Sequence, residues 1–158
     1  MTAADKIVTL ESLQSRLARP RAAGSHVALA NGLFDILHVG HLHYLEAARA
    51  EADLLVVGVN SDRSARELKG PSRPVIPELE RAELLAGLSC VDFVTIFEGP
   101  TAEQLLRAVR PDVHCKGTDY TADSVPEAPV AQELGIRVAI VGDSKVHSTR
   151  DIIRRLRD

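Results

Sequence analysis

The sequence predicts an α/β fold, three-layered and Rossmann-like, with about five parallel strands. Two observations carry that expectation. Five short aliphatic runs recur along the chain: "HVALAN" (26–31), "LLVVGVN" (54–60), "DFVTIF" (92–97), "DVHCKG" (112–117) and "RVAIVG" (137–142). They are continuously apolar rather than alternating, which suits strands covered on both faces, hence a parallel sheet. Between them lie amphipathic stretches with apolar residues spaced by three and four, so helices alternate with strands.

The elements follow in order. Thr9–Ala18 places leucines at 10, 13 and 17 at helical spacing and is expected to end at Arg19–Pro20. After the first strand, Val39–Ala52 carries Leu42, Leu45, Ala48 and Ala52 on one helical face. Glu78–Leu88 follows Pro77, a residue favoured at the first helical position. Thr101-Ala-Glu-Gln104 and Ser124-Val-Pro-Glu127 read as capping boxes. A last helix, Thr149–Arg157, follows Ser148, with Asp151 completing a third such box. No repeat or linker divides the 158 residues, so one domain is expected, with residues 1–25 as helix and lead-in and 26–158 as the functional core.

Composition narrows the function classes. Hydrophobic residues at 45% and charged residues at 26% describe a globular chain. Aromatics are only 3% with no Trp, which leaves little for stacking on single-stranded nucleic acid. A net charge of −3 argues against nucleic acid and acidic membranes as partners. The two cysteines, Cys90 and Cys115, sit in separate apolar segments without CxxC spacing and read as core residues in a reducing compartment. No signal peptide or anchor is visible at the N-terminus, and the apolar runs are too short to span a bilayer, so a cytoplasmic protein is expected.

The chemistry concentrates after the first strand, in "NGLFDILHVGHLH". Asn31-Gly32 leaves the strand, and Gly32 lets a ligand approach the backbone. His38 and His41, three apart, share a face at the first turn of the next helix, with Gly40 keeping the surface low between them. A helix N-terminus offers free N–H groups and a positive dipole end, so two imidazoles there make a phosphate site. A zinc site from His38, His41 and His43 is the competing reading. The third ring would lie well round the helix, and no nearby Cys completes a set, although Asp35 or Glu46 could. No metal site is therefore assigned, and His43 reads as a surface or packing residue.

"NGLFDILHVGH" resembles the H-x-G-H signature of the nucleotidyltransferase superfamily that includes cytidylyl- and adenylyltransferases. The blocks "VNSDRSARELKGPSRPVIPELERAELLAGLSCVD", "RPDVHCKGTDY" and "HSTRDIIRRL" are similar to the heptose-1-phosphate adenylyltransferases of lipopolysaccharide-core and glycoprotein biosynthesis. The resemblance runs in register from about residue 26 to the C-terminus. It implies transfer of the adenylyl group from ATP to a sugar 1-phosphate, D-glycero-D-manno-heptose 1-phosphate, giving ADP-sugar and pyrophosphate. It also implies a strand order 3-2-1-4-5, which places residues 31–41 and 116–120 at one crevice. Magnesium is expected with ATP, from the reaction type. A homodimer is expected, and a separate sugar kinase, since the chain is too short to include the kinase often fused to such enzymes.

The residues then take roles. His38 and His41 donate to the triphosphate; Asn31, Gly32, Leu33 and Phe34 line the nucleotide site through the backbone. Asp35 either orients the loop, approaches the metal or substrate, or caps the helix. Lys69, in the Gly/Pro-rich "ELKGPSRPV", closes on phosphates as a mobile cation, with Arg73 as a second. Arg81 is a weaker phosphate candidate whose bland alternative is an exposed, salt-bridged face. Lys116 neutralises phosphate and Asp119 binds ribose or sugar hydroxyls. Ser148 and Thr149 meet ATP phosphates at the last helix. Cytidylyltransferases for polyol or amino-alcohol phosphates typically carry an arginine shortly before this Ser-Thr. Here Asp143 stands in its place, which fits the heptose branch and leaves Lys145 as a substitute cation. Other readings are a polyol-phosphate cytidylyltransferase, an FAD-synthase-like enzyme, and a nucleotide-binding module without catalysis.

Overall fold

Five strands, β1 (Val27–Gly32), β2 (Leu54–Asn60), β3 (Phe93–Phe97), β4 (Val113–Lys116) and β5 (Arg137–Ile140), pair in parallel in the order β3-β2-β1-β4-β5. This computed structural model describes residues 1–144 and 148–158. The five apolar runs therefore become the five strands, with ends within two residues of expectation. Central β1 pairs Leu29 with Val56 of β2 and with His114 of β4, so the order reverses between β1 and β4. Such a reversal opens a crevice at the carboxyl ends of the strands.

Alternation along the strands feeds two cores. Ala28, Ala30, Val57 and Cys115 face one side, against α3 (Val39–Arg49) and α5 (Glu78–Ala86). Val27, Leu29 and Val56 face the other, against α2 (Leu10–Ala22), α6 (Glu103–Val109) and α7 (Ala128–Leu134). Most of the lead-in packs on this second core, while Ala3 and Ile7 pack on the first. Leu13 and Leu17 of α2 are fully buried, and Val8 donates its N–H to Val94 of β3. Both cysteines are free thiols; burial pushes Cys115 up to about 12, leaving it protonated and inert.

Several local expectations are corrected. Helix α2 continues through Pro20 to Ala22, and a short α1 (Ala3–Lys6) precedes it. Proline at 20 costs a single helical bond near the end of the helix, too little to stop a segment anchored by two buried leucines. The boxes at Thr101 and Ser124 do not form. Helix α6 is capped at Ala102, whose N–H is satisfied by Glu127 Oε1 at 2.9 Å, and Ser124 Oγ turns back to Thr121. An additional helix, α4 (Asp62–Lys69), is capped by Ser61 Oγ accepting from the Ser64 N–H. Lys69 thus ends a helix rather than sitting within a loop. The last helix, α8 (Thr149–Arg157), and its Ser148 cap agree with expectation.

Arg81 is the largest departure. It is fully buried rather than on an exposed face, and its guanidinium donates to Leu33 O (2.6 Å), Asn60 O (2.8 Å), Ile76 O (2.8 Å) and Asp62 Oδ1 (2.9 Å). Those acceptors come from the ends of β1 and β2, the loop before α5 and the start of α4. Arg81 is a structural strut and does not line the crevice. Arg81→Met should lose about 3–5 kcal/mol by leaving buried acceptors and Asp62 unmatched, read as a lowered urea midpoint.

Candidate active site

Helix α3 begins with an arrangement that serine and glutamate usually supply. His38 is the N-cap; its Nδ1 accepts from the Gly40 N–H at 3.1 Å, while His41 Nδ1 accepts from the His38 N–H at 3.3 Å. This is a reciprocal capping box built from two imidazoles. The rings stack with centroids 3.9 Å apart and planes 28° from parallel. Because each Nδ1 accepts a backbone hydrogen bond, the proton of each neutral ring belongs on Nε2. Both rings therefore offer an Nε2–H donor from a fixed tautomer. Gly40 makes this possible, since a Cβ there would lie 2.9 Å from His38 Cε1.

The residues before the helix support the pair. Phe34 adopts a left-handed φ of 50°, uncommon for a bulky side chain, and its ring meets His41 edge-on at 5.4 Å. Tyr44, one turn further along α3, stacks on Phe34 and donates its hydroxyl to Cys115 O at 2.6 Å. That bond pins α3 to β4, and burial raises the Tyr44 hydroxyl far above its ordinary range, keeping it a donor.

Asp35 does not cap α3. Its buried carboxylate accepts from Arg73 Nε (2.6 Å) and from the N–H groups of Val75 (2.9 Å) and Ile76 (2.9 Å). Burial alone would raise its pKa; the bonds from Ile76, Val75 and Arg73 outweigh it and hold the carboxyl below its ordinary value. The carboxylate is thus committed to orienting the 70–77 loop, and Arg73 is held half-buried by the same bond. Lys69, exposed just before that loop, lines the crevice.

Opposite, Lys116 closes β4 and sits 4.7 Å from the Tyr120 ring centroid; Gly117, Thr118 and Asp119 continue that wall. Asn31 Oδ1 accepts from Nε2 of buried His114 at 2.7 Å, which fixes the amide at the mouth of β1. Thr149 Oγ1 donates to Ile36 O at 3.1 Å, joining α8 to the loop before α3, while Ser148 caps α8. The crevice so enclosed is about 840 Å³, within the usual range for small-molecule sites. It is lined by Asn31, Gly32, Leu33, Phe34, His38 and His41 on one side, and on the other by Lys116, Asp119, Ser148 and Thr149. Every expected site residue except Arg81 borders this space, although Asp35 does so with its carboxylate spent. Lys145 lies outside the described residues.

Tyr44, which lines the crevice, escaped the sequence reading. His43, expected as a surface or packing residue, is half-exposed and pairs through Nδ1 with Asp143 Oδ2. Tyr44 carried a signal in its place three residues after His41, on the same helical face. His114 and Glu127 gave no local signal, because their partners lie far away in the chain.

The Asp35 clamp has a signed pH dependence. Its folded pKa lies below the free value of about 4, so its stabilisation is complete above that pH and fades as pH falls through the folded value. Asp35→Asn should cost roughly 1–3 kcal/mol at neutral pH, and the two urea midpoints should converge in acid.

The comparisons with known proteins agree with this geometry. The model of the cytidylyltransferase-like family matches residues 29–155. The bifunctional protein HldE of Methylobacillus flagellatus is 48% identical over 153 residues, 97% of this chain and 31% of that protein. That of Syntrophotalea carbinolica is 47% identical over the same shares. The chain spans about a third of the length of these curated relatives. The crystal structure of a lipopolysaccharide core biosynthesis protein from Thermoplasma volcanium superposes with a TM-score of 0.66 at 35% identity, covering 78% of this chain and all of that one. Pantothenate synthetase from Thermus thermophilus (TM-score 0.61, 23% identity, 90% of this chain and 63% of that one) shares the fold. The H-x-G-H helix, the β1–β4 crevice and these matches lead to one conclusion: the chain belongs to the cytidylyltransferase-like family of nucleotidyltransferases.

Proposed function

We propose that this chain joins ATP to a sugar 1-phosphate, D-glycero-D-manno-heptose 1-phosphate, releasing pyrophosphate and an ADP-sugar for lipopolysaccharide or glycan synthesis. The observation that carries the reading is the two-histidine cap, whose Nε2–H donors share one crevice with Lys69 and Lys116. A sugar-phosphate oxygen attacks the α-phosphorus of ATP in line. The bond from that phosphorus to the oxygen bridging to the β-phosphate breaks, and the electron pair leaves with pyrophosphate. The attacking phosphate has a second pKa of about 6 and is largely ionised at neutral pH, so no general base is required. The chain must instead hold two anions together and stabilise charge on the leaving group.

His38 and His41 are assigned to the triphosphate, with Ser148, Thr149 and the start of α8 at its other side. Asn31, Gly32, Leu33 and Phe34 would present backbone to the nucleotide, and Asp119 its carboxylate to a ribose. Lys69 and Lys116 lie where the two phosphates would meet. Arg73 would act through the Asp35-held loop. Magnesium fits as a companion of ATP. Among the described residues there is no group of three or more His, Cys, Asp or Glu placed to hold an ion, while Lys69, Arg73 and Lys116 in the crevice lining suit phosphates. With ATP bound, the ion would neutralise charge on the phosphates. A kinase must supply the sugar 1-phosphate, which accords with the relatives' being bifunctional. A homodimer in the cytoplasm completes the proposal; no described helix is long and apolar enough to cross a membrane.

Pyrophosphate release measured with ATP, CTP or GTP against heptose 1-phosphates, glycerol phosphate and FMN tests the reading. ATP with a heptose 1-phosphate should be fastest. CTP with a polyol phosphate outrunning it would shift the assignment to a cytidylyltransferase. His41→Ala should lower kcat by roughly 10²–10³. His38→Asn retains a capping oxygen but not the reach of Nε2, so it should lose activity while keeping its thermal midpoint within a few degrees, about 1 kcal/mol or less of stability.

A further inference from the structure

A smaller pocket, about 260 Å³, adjoins the crevice and shares Asn31, Gly32, Lys69 and Lys116 with it. It lies on the α6–α7 side of the sheet edge, between the start of α6 at Thr101 and the N-cap of α7 at Glu127. Glu127 is 3% exposed. Its Oε1 accepts from the Ala102 N–H, but its buried Oε2 meets no hydrogen-bond partner among the described residues. Nearby His114, fully buried on β4, donates Nε2–H to Asn31 and leaves Nδ1 without a partner too. Burial holds that imidazole neutral, with its pKa lowered to about 4, and Glu127 acts on it electrostatically.

Two buried acceptors without donors among the described residues are costly, and native proteins rarely leave them so. Of the two, Glu127 borders the pocket, and its Oε2 asks for a hydrogen-bond donor; a cation would be redundant beside Lys69 and Lys116. A phosphate in this pocket would meet the Glu127 carboxylate and be repelled, whereas hydroxyl groups would be held by it through charge-assisted bonds. The pocket is therefore polarised, with cations at its junction with the crevice and an acceptor at its far wall. Resting on the sugar-phosphate reading above, we propose that this pocket takes the polyol portion of the acceptor and that Glu127 accepts hydrogen bonds from its hydroxyls. Glu127 thereby selects a polyhydroxylated phosphate ester over a plain one and fixes its direction, phosphate toward the lysines and hydroxyls away.

The test is calorimetric binding of heptose 1-phosphate, inorganic phosphate and a non-hydrolysable ATP analogue to wild type and Glu127→Gln. Steady-state kinetics on both proteins accompany it. Gln keeps the size and an oxygen for Ala102 but presents an amide donor to the pocket. Affinity for the sugar 1-phosphate should fall roughly 10- to 100-fold, appearing in KM rather than kcat, with phosphate and ATP-analogue binding unchanged. Equal sugar-phosphate affinity in the two proteins would overturn the assignment, as would equal losses for all three ligands. A deoxy series on unmodified protein covers a variant that fails to fold. At least one deoxy sugar phosphate should bind roughly tenfold more weakly, and uniform affinity across the series would refute the pocket's role. Wild type turning over the sugar phosphate while Glu127→Gln matches it removes only this inference; absence of pyrophosphate release removes the functional reading instead.

Discussion

The wholly buried guanidinium of Arg81 is the contact on which the site's geometry rests. Parallel strands end with carbonyls that no further strand residue satisfies, and here two of these, Leu33 O and Asn60 O, accept from the same side chain. A third bond to Ile76 O brings in the loop before α5, and Asp62 balances the charge. One residue thus sets the spacing of β1, β2 and that loop. Asp35 adds a second tie to the same loop through Arg73 and two backbone N–H groups, so this wall of the crevice is braced from both sides.

On this frame the carboxyl edge of the sheet divides ligand chemistry between two flanks. The α3 side gathers N–H donors and a helix N-terminus; the α6–α7 side buries acceptors at Glu127 and His114. Lys69 and Lys116 stand where the flanks meet. Such an arrangement suits a reaction between two phosphates whose attached groups must point apart. The left-handed Phe34 is local strain kept at the wall of the crevice.

The strands were legible because continuous aliphatic runs have few alternative uses in a chain of this kind, whereas their order was implied only by the resemblance of the motifs to a known family. His38 and His41 were legible because a helix start gives the pair a physical purpose. Arg81 was not legible, and Asp35 was left among three readings, for one reason: a buried charge is recognised by its partners, and these are mostly main-chain groups that carry no sequence signature. The same applies to Ala102, whose N–H is satisfied by Glu127 from another helix start, so the Thr101 motif had nothing left to do. Pro20 shows tertiary burial overriding a local breaker. The α4 signal is present, Ser61 before and Gly70 after, but the Gly/Pro-rich stretch beginning at Glu67 masks the helix end that carries Lys69.

The interlocked histidine cap limits what can replace it. Each ring holds its helix end with Nδ1 and offers a donor from Nε2, two tasks on opposite edges of one rigid plane. Lysine or arginine would bring a stronger cation but no acceptor for the backbone N–H. Aspartate would cap the helix yet present no donor, and serine and asparagine combine both functions at too short a reach. The motif is consequently intolerant in a way a simple phosphate-binding pair would not be. A drift to any other residue trades anion recognition against the integrity of the helix that carries it.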